Sequence, residues 1–294
     1  MKLVTFNKSG AAHVGVLASG DTALVDLTEA GIARDMLDLV DRFDSLRDRV
    51  RTAAASHPAR TYDARDLLAP IPLPRRNIFC VGKNYYEHAT EFGSSGFDSG
   101  SVGGSEVPEY PIIFSKPPSA VIGPGAGIDS SLDPYNSVDY EAELAVIISR
   151  AGRVREADDP MSFVFGYTIL NDVTSRELQK RHKQWLLGKG IDTFAPMGPA
   201  ITTADAIKNL ADLTIELTVN GERRQSARIR DLIFDIPTLI RAIGRSTSFV
   251  PGDIIATGTP VGVGIGFKPP RYLKPGDKVR ITASEIGALE NPVL

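Results

Sequence analysis

At 294 residues with 42% hydrophobic side chains, the chain is long enough to bury a sizeable core and fits one large and one small domain. Its 33 basic and 36 acidic residues are dispersed along the chain for a formal net charge of -3, so no basic run offers a footprint for nucleic acid or an anionic membrane. The single cysteine, Cys80, excludes an intrachain disulfide, and between Phe79 and Val81 it reads as a buried small hydrophobe in a reducing compartment.

The first six residues run into an Asn-Lys-Ser-Gly turn before any apolar stretch long enough for a signal peptide, and no run approaches membrane-spanning length. A cytoplasmic protein is expected, with neither nucleic acid nor membrane as partner. Strands are expected at residues 2–6 and 12–17. A helical pattern then runs through Met36, Leu37, Leu39, Val40, Phe43 and Leu46. Residues 67–76 (LLAPIPLPRR) carry three prolines, which favour extended backbone and deny helix. They mark a boundary between a small N-terminal domain, residues 1–70, and a larger one, residues 71–294.

Beyond that boundary, β-branched segments at 77–81, 111–114, 144–149, 163–170, 213–219, 253–257 and 278–283 predict strands. They do not alternate regularly with helices, which favours an α+β fold with antiparallel or mixed sheet over a doubly wound parallel one. Two helices are clearly signalled there. One opens at Thr174, where Thr-Ser-Arg-Glu has capping-box spacing, and one follows Asp235, an N-cap with Pro237 in the first turn. Residues 93–104 (GSSGFDSGSVGG) are too poor in apolar side chains to order alone; they read as a floppy surface loop or as a lid that orders over substrate.

The chemistry concentrates in a few places. In Asp139-Tyr140-Glu141-Ala142-Glu143 followed by Leu-Ala-Val-Ile-Ile, period-two alternation puts Glu141 and Glu143 on one face of a strand. Paired carboxylates repel, and a hard divalent cation with oxygen ligands relieves that repulsion. Taken alone, the pair fits a solvated strand face better than a metal site, because exposed acids need no partner. Asp172, at the end of the apolar run 165–170, supplies a third carboxylate or a structural turn acid. Arg176 and Gln179 lie one turn apart on the following helix; they present a planar cation and an amide to a carboxylated ligand, or are surface residues. Upstream, His88 and Glu91 have the spacing that lets a carboxylate orient an imidazole if the segment is helical.

Seven blocks in order, NYYEHATEFG, IIFSKPPSAVIGP, DYEAELAVII, FGYTILNDVTSRELQ, WLLGKGIDTFAPMGP, IIATGTPVGVG and GALENPV, resemble the fumarylacetoacetate hydrolase superfamily across residues 77–294. The resemblance implies a mixed β-sandwich roll with a small N-terminal domain, and a Mg²⁺ or Mn²⁺ ion (Ca²⁺ also fits) on Glu141, Glu143 and Asp172. It implies a water-activating His88–Glu91 dyad on a lid, a positive charge from Lys189, and ligand contacts from Tyr85, Arg176, Gln179 and Thr259. It further implies a homodimer that acts on a small oxo acid. The expectation placed first is hydrolysis of a C–C bond in an acylpyruvate-like β-diketo acid through a stabilised enolate. An oxaloacetate-type decarboxylase, a 2-hydroxy-dienoate isomerase, a non-catalytic oxo-acid binding protein and a calcium-braced structural site are the alternatives. One departure stands out: the position after Lys189, often serine in relatives, is Gly190, which removes a hydroxyl near the site.

Overall fold

The computed structural model describes residues 1–18, 20–94 and 107–294. Most of the candidate lid, residues 95–104, lies outside the described residues. Among these, the dominant element is a mixed sheet whose strands follow the order Arg60–Thr61, Ala23–Asp26, Ala11–Leu17, Lys2–Lys8, Ala195–Thr203, Val164–Asn171, Ala142–Ile148, Ile254–Ala256, Ile78–Gly82 and Ile112–Lys116. Most neighbours are antiparallel, but Ile254–Ala256 runs parallel to Ile78–Gly82. A second, four-stranded antiparallel sheet is built from Glu222–Arg228, Thr214–Val219, Lys278–Ala283 and Gly287–Pro292. The architecture is the expected α+β class with a mixed-sheet roll.

The Ala142–Ile148 strand explains why the site forms where it does. All of its residues are buried, as a strand covered on both faces must be. Ala142, Leu144, Val146 and Ile148 pack with Ile215 and Leu217 of the second sheet and with Leu213 just before it. Ala145 and Ile147 pack the other way, with Leu39, Phe43, Leu46 and Val50 of the N-terminal helices. Glu143 shares the parity of Ala145 and Ile147, so one apolar face changes to carboxylate at its N-terminal end. The full burial of this strand provides the desolvated surroundings in which those acids sit.

Several elements differ from the sequence reading for identifiable reasons. The helical pattern at 36–46 divides into Met36–Asp41 and Phe43–Ser56 at Arg42, whose Nε donates to Asp38 at 3.0 Å and whose backbone is not helical. The helix expected from Thr174 begins at Arg176: Ser175 is the N-cap, and Thr174–Ser175 pairs instead with Val138–Asp139. The second helix is as expected, Ile236–Gly244, with the Asp235 side chain accepting Thr238 N–H at 2.9 Å. The central strand Ala195–Thr203 went unread because Pro196, Gly198 and Pro199 argue against a ladder position; the Val164–Asn171 strand meets it with a register shift between Tyr167 and Ile169. Among the described residues no helix is long and apolar enough to cross a membrane.

Asp38 is a stability determinant of the N-terminal segment. Its buried carboxylate accepts from the Arg42 side chain, the Arg34 backbone and the Arg34 side chain, and Arg42 foremost holds it down at about 2, against a usual 3.8. A depressed carboxyl contributes stability above its unfolded value, and that contribution fades as pH falls from about 4 toward about 2. Since Arg42 is half-exposed and screened by water, Asp38→Asn is expected to cost about 1–2 kcal/mol at pH 7. Urea unfolding should show the gap to wild type narrowing between pH 5 and pH 3.

Candidate active site

Glu141, Glu143 and Asp172 each offer a carboxylate oxygen, and these atoms lie within 4.8 Å of one another with all three residues buried. Glu141 immediately precedes the Ala142–Ile148 strand, and its backbone is tied to the neighbouring strand: its N–H donates to Asn171 Oδ1 at 3.0 Å, and its carbonyl accepts Asp172 N–H at 2.9 Å. That ladder brings Asp172 beside the Glu pair. From the other side, Gly258 N–H donates to Glu143 at 2.8 Å. Gly258 has a positive φ of 101°, and a Cβ there would lie 2.7 Å from Asn84 Cβ, so the close approach depends on glycine.

Among the described residues, three buried cations lie at ion-pair distance from the cluster. Lys189 Nζ lies 2.8 Å from Glu141 and 2.7 Å from Asp172. Lys116 Nζ lies 2.8 Å from the other Asp172 oxygen, an ion pair without hydrogen-bond alignment, and donates to the carbonyls of Val173 at 2.9 Å and Lys189. Arg176 donates through Nε to Asp139 at 2.8 Å, and its Nη1 lies 2.7 Å from Glu141. Burial raises the Glu141 carboxyl, but Lys189 and Arg176 outweigh it and hold the group down at about 2. Glu143 behaves oppositely. Burial, then the like charges of Asp172 and Glu141, push it well above the usual carboxylate range. Among the described residues it makes no ion pair. Buried hard-oxygen donors with one uncompensated carboxylate fit a divalent cation of the Mg²⁺, Mn²⁺ or Ca²⁺ type.

A cavity of about 20 Å³ opens beside the cluster, lined by Glu141, Lys189, His88, Arg176, Gln179 and Thr259, together with Lys83, Phe114 and Trp185. His88 and Glu91 do lie on a helix, Tyr86–Ser94, with Nδ1 3.3 Å from the Glu91 carboxylate, which in turn accepts Gly262 N–H at 3.1 Å. Arg176 and Gln179 are buried rather than superficial, and Arg176 is engaged with protein carboxylates and with Gln179 Oε1 at 3.2 Å. Tyr85 is not in that lining: it is buried, bridges to Leu232 and lines a cavity of about 520 Å³ with Tyr86 and Arg230, though burial and then the nearby Glu143 charge raise its hydroxyl. Gly190 ends the short helix Leu186–Lys189, where a Cβ would fall 2.8 Å from both Leu186 O and Pro117 Cδ; the helix end is packed around glycine, and a serine would displace it.

Lys116, Asp139, Lys83 and Gln225 were not anticipated as site residues. A lysine inside the apolar run IIFSKPP was the available signal for Lys116, because an amine there must find buried partners. Cys80, as expected, is buried, and burial pushes its thiol well above its usual range.

The arrangement defines a buried carboxylate site that fits a hard cation, sharing one cavity with Lys189 and with His88, whose Nδ1 meets Glu91. The chain belongs to the fumarylacetoacetate hydrolase family and is an enzyme of that superfamily: the family's "Fumarylacetoacetate (FAA) hydrolase C-terminal" profile matches residues 77–294. It is 47% identical over 227 residues to oxaloacetate tautomerase YisK of Bacillus subtilis, covering 77% of this chain and 72% of that protein. The fumarylacetoacetate hydrolase of Exiguobacterium antarcticum superposes with a TM-score of 0.84 at 38% identity, covering 100% of this chain and 99% of that one. A maleylpyruvate hydrolase from Sphingobium sp. SYK-6, solved with manganese(II) and pyruvate, superposes at 0.79 with 32% identity, covering 100% and 99% of the two chains.

Opposite effects are expected from Glu143→Gln. Removing the uncompensated carboxyl should stabilise the chelated protein by about 1 kcal/mol or more. The same change should abolish the rise in melting temperature that Mn²⁺ gives the wild type, as read by calorimetry with and without the ion.

Proposed function

We propose that the protein interconverts the keto and enol forms of a small 2-oxo dicarboxylic acid of the oxaloacetate type. The observation that carries this reading is the confluence, in one cavity, of Glu141, Lys189 and His88 above the buried Glu143 and Asp172. The similarity to an oxaloacetate tautomerase favours proton relocation over the C–C hydrolysis placed first from sequence.

Glu141, Glu143 and Asp172 would hold a Mg²⁺ or Mn²⁺ ion, whose chemistry when bound is Lewis-acid stabilisation of enolate charge. That a maleylpyruvate hydrolase relative was solved in complex with manganese(II) and pyruvate supports a 2-oxo acid as the ligand class. The rest falls to the chain's own groups. Lys189 contributes a fixed ammonium beside the carboxylates, so negative charge growing on the substrate oxygen meets a preorganised cation. Glu91 binds His88 through Nδ1, which assigns proton transfer to Nε2. The imidazole first takes the proton from the enol O–H and then, as imidazolium, returns that proton to the adjacent carbon to form the C–H bond, and the reverse reaction runs through the same atoms. Arg176, bound to Asp139 and Glu141, fixes Glu141, and Lys83 and Gln179 line the cavity where a substrate carboxylate would sit.

Hydrolysis is the second reading, favoured by the same His88–Glu91 pair, since an oriented imidazole also activates water. Decay of the enol absorbance of oxaloacetate separates the two. With Mn²⁺ present, the wild type should accelerate ketonisation without releasing pyruvate, and His88→Ala should slow it by about 10²- to 10⁴-fold. Stoichiometric pyruvate from an acylpyruvate, with no effect on oxaloacetate, would establish the hydrolase instead.

A further inference from the structure

Gln225 lies on the Glu222–Arg228 strand of the small sheet, is 1% exposed and does not line the cavity. Its side-chain amide bridges three backbone or side-chain groups that matter to the site. Oε1 accepts the N–H of Ala142, the residue between Glu141 and Glu143, at 2.9 Å. Nε2 donates to the carbonyl of Pro260 at 2.6 Å and to Thr259 Oγ1 at 2.9 Å. Rotating the amide by half a turn would set an N–H against Ala142 N–H and an oxygen against the Pro260 carbonyl, so one orientation alone satisfies its partners.

This has a consequence for Thr259. A threonine hydroxyl has one hydrogen to donate, and in isolation it turns to suit either donor or acceptor. Here both Nε2 hydrogens are committed, one of them to Thr259 Oγ1, so the hydroxyl accepts from Gln225 and must send its own hydrogen elsewhere. Thr259 is 2% exposed and lines the cavity with His88, Glu141 and Lys189. Among the described residues no protein acceptor is recorded for that hydrogen.

We propose that Gln225 is a positioning residue that makes Thr259 an obligate hydrogen-bond donor into the cavity, selecting a ligand with a carboxylate or carbonyl oxygen at that point. The proposal rests on reading the cavity as an oxo-acid site and adds which atom of that site demands an acceptor. By gripping Ala142 and Pro260 together, the same amide also fixes how far Thr259 stands from the carboxylate strand.

A double-mutant cycle tests it, with oxalate affinity of the Mn²⁺-loaded protein measured by titration calorimetry and thermal stability followed alongside. Gln225→Glu keeps the acceptor for Ala142 but replaces Nε2 with an oxygen, which turns the Thr259 hydrogen away from the ligand. Gln225→Met removes both functions and lets the hydroxyl rotate freely. In the Thr259 background, affinity should fall from wild type to Gln225→Met to Gln225→Glu, the last by about 10- to 100-fold. In the Thr259→Val background these differences should shrink several-fold. Where turnover is measured, KM should rise more than kcat falls. Losses that persist undiminished in the Thr259→Val background would mark Gln225 as merely structural and overturn the proposal, as would a wild type that does not bind oxalate. Wild-type oxalate binding without oxaloacetate turnover would overturn the tautomerase reading alone and leave the cycle measurable.

Discussion

The site is organised by an imbalance of buried charge. Among the described residues, the ion pairs of the cluster Asp139, Glu141, Glu143 and Asp172 run to Lys116, Arg176 and Lys189, and all seven side chains are almost entirely withdrawn from water. Withdrawing a charge without a partner costs several kcal/mol, so the pairings that do exist are distributed with little slack. Asp139 has Arg176, Glu141 has Arg176 and Lys189, and Asp172 has Lys116 and Lys189. Glu143 is left with the Gly258 N–H. A divalent cation supplies what that carboxylate lacks, and the same positive charge suits an enolate oxygen.

The fold keeps this cluster in place through backbone groups more than through side-chain bulk. The pairing of the Ala142–Ile148 and Val164–Asn171 strands sets Asp172 against Glu141, and the turn 257–259 crosses their end to meet Glu143. Asn84 locks that turn from outside by donating to Thr257 O at 2.8 Å, while Gln225 locks its next residues from the second sheet. Both amides are fully buried and satisfied, the condition under which a polar network rigidifies a site instead of destabilising it.

Much of this was legible in the sequence. The Glu141–Glu143 pair declared its common face through the strand that follows, and Asp172 through its place at the end of an apolar run. His88 and Glu91 were separated by one helical turn, and Asp235 with Pro237 gave a helix start that holds to the residue. What escaped was what tertiary contact decides. Prolines hid Ala195–Thr203, which nonetheless joins the N-terminal strand Lys2–Lys8 to Val164–Asn171. Arg176, read as a ligand contact or a surface residue, does line the cavity, while Asp139, distant in sequence, engages its Nε. Tyr85 is adjacent in sequence to the segment bearing His88 but turns into another cavity, since neighbouring residues at a helix start point in different directions. Lys116 stood out as a lysine in an apolar run, but its partners Asp172, Val173 and Lys189 are distant in sequence.

Whether Glu141, Glu143 and Asp172 hold one hard cation open to an oxo acid is decided by Mn²⁺ binding to the chelated protein, followed by electron paramagnetic resonance together with water-proton relaxation. One Mn²⁺ per chain is expected in the wild type, with a relaxation enhancement that falls when oxalate displaces water, and that Mn²⁺ is expected to be lost in Asp172→Asn. Undiminished Mn²⁺ binding by Asp172→Asn, or a wild-type signal indifferent to oxalate, would rule such a site out.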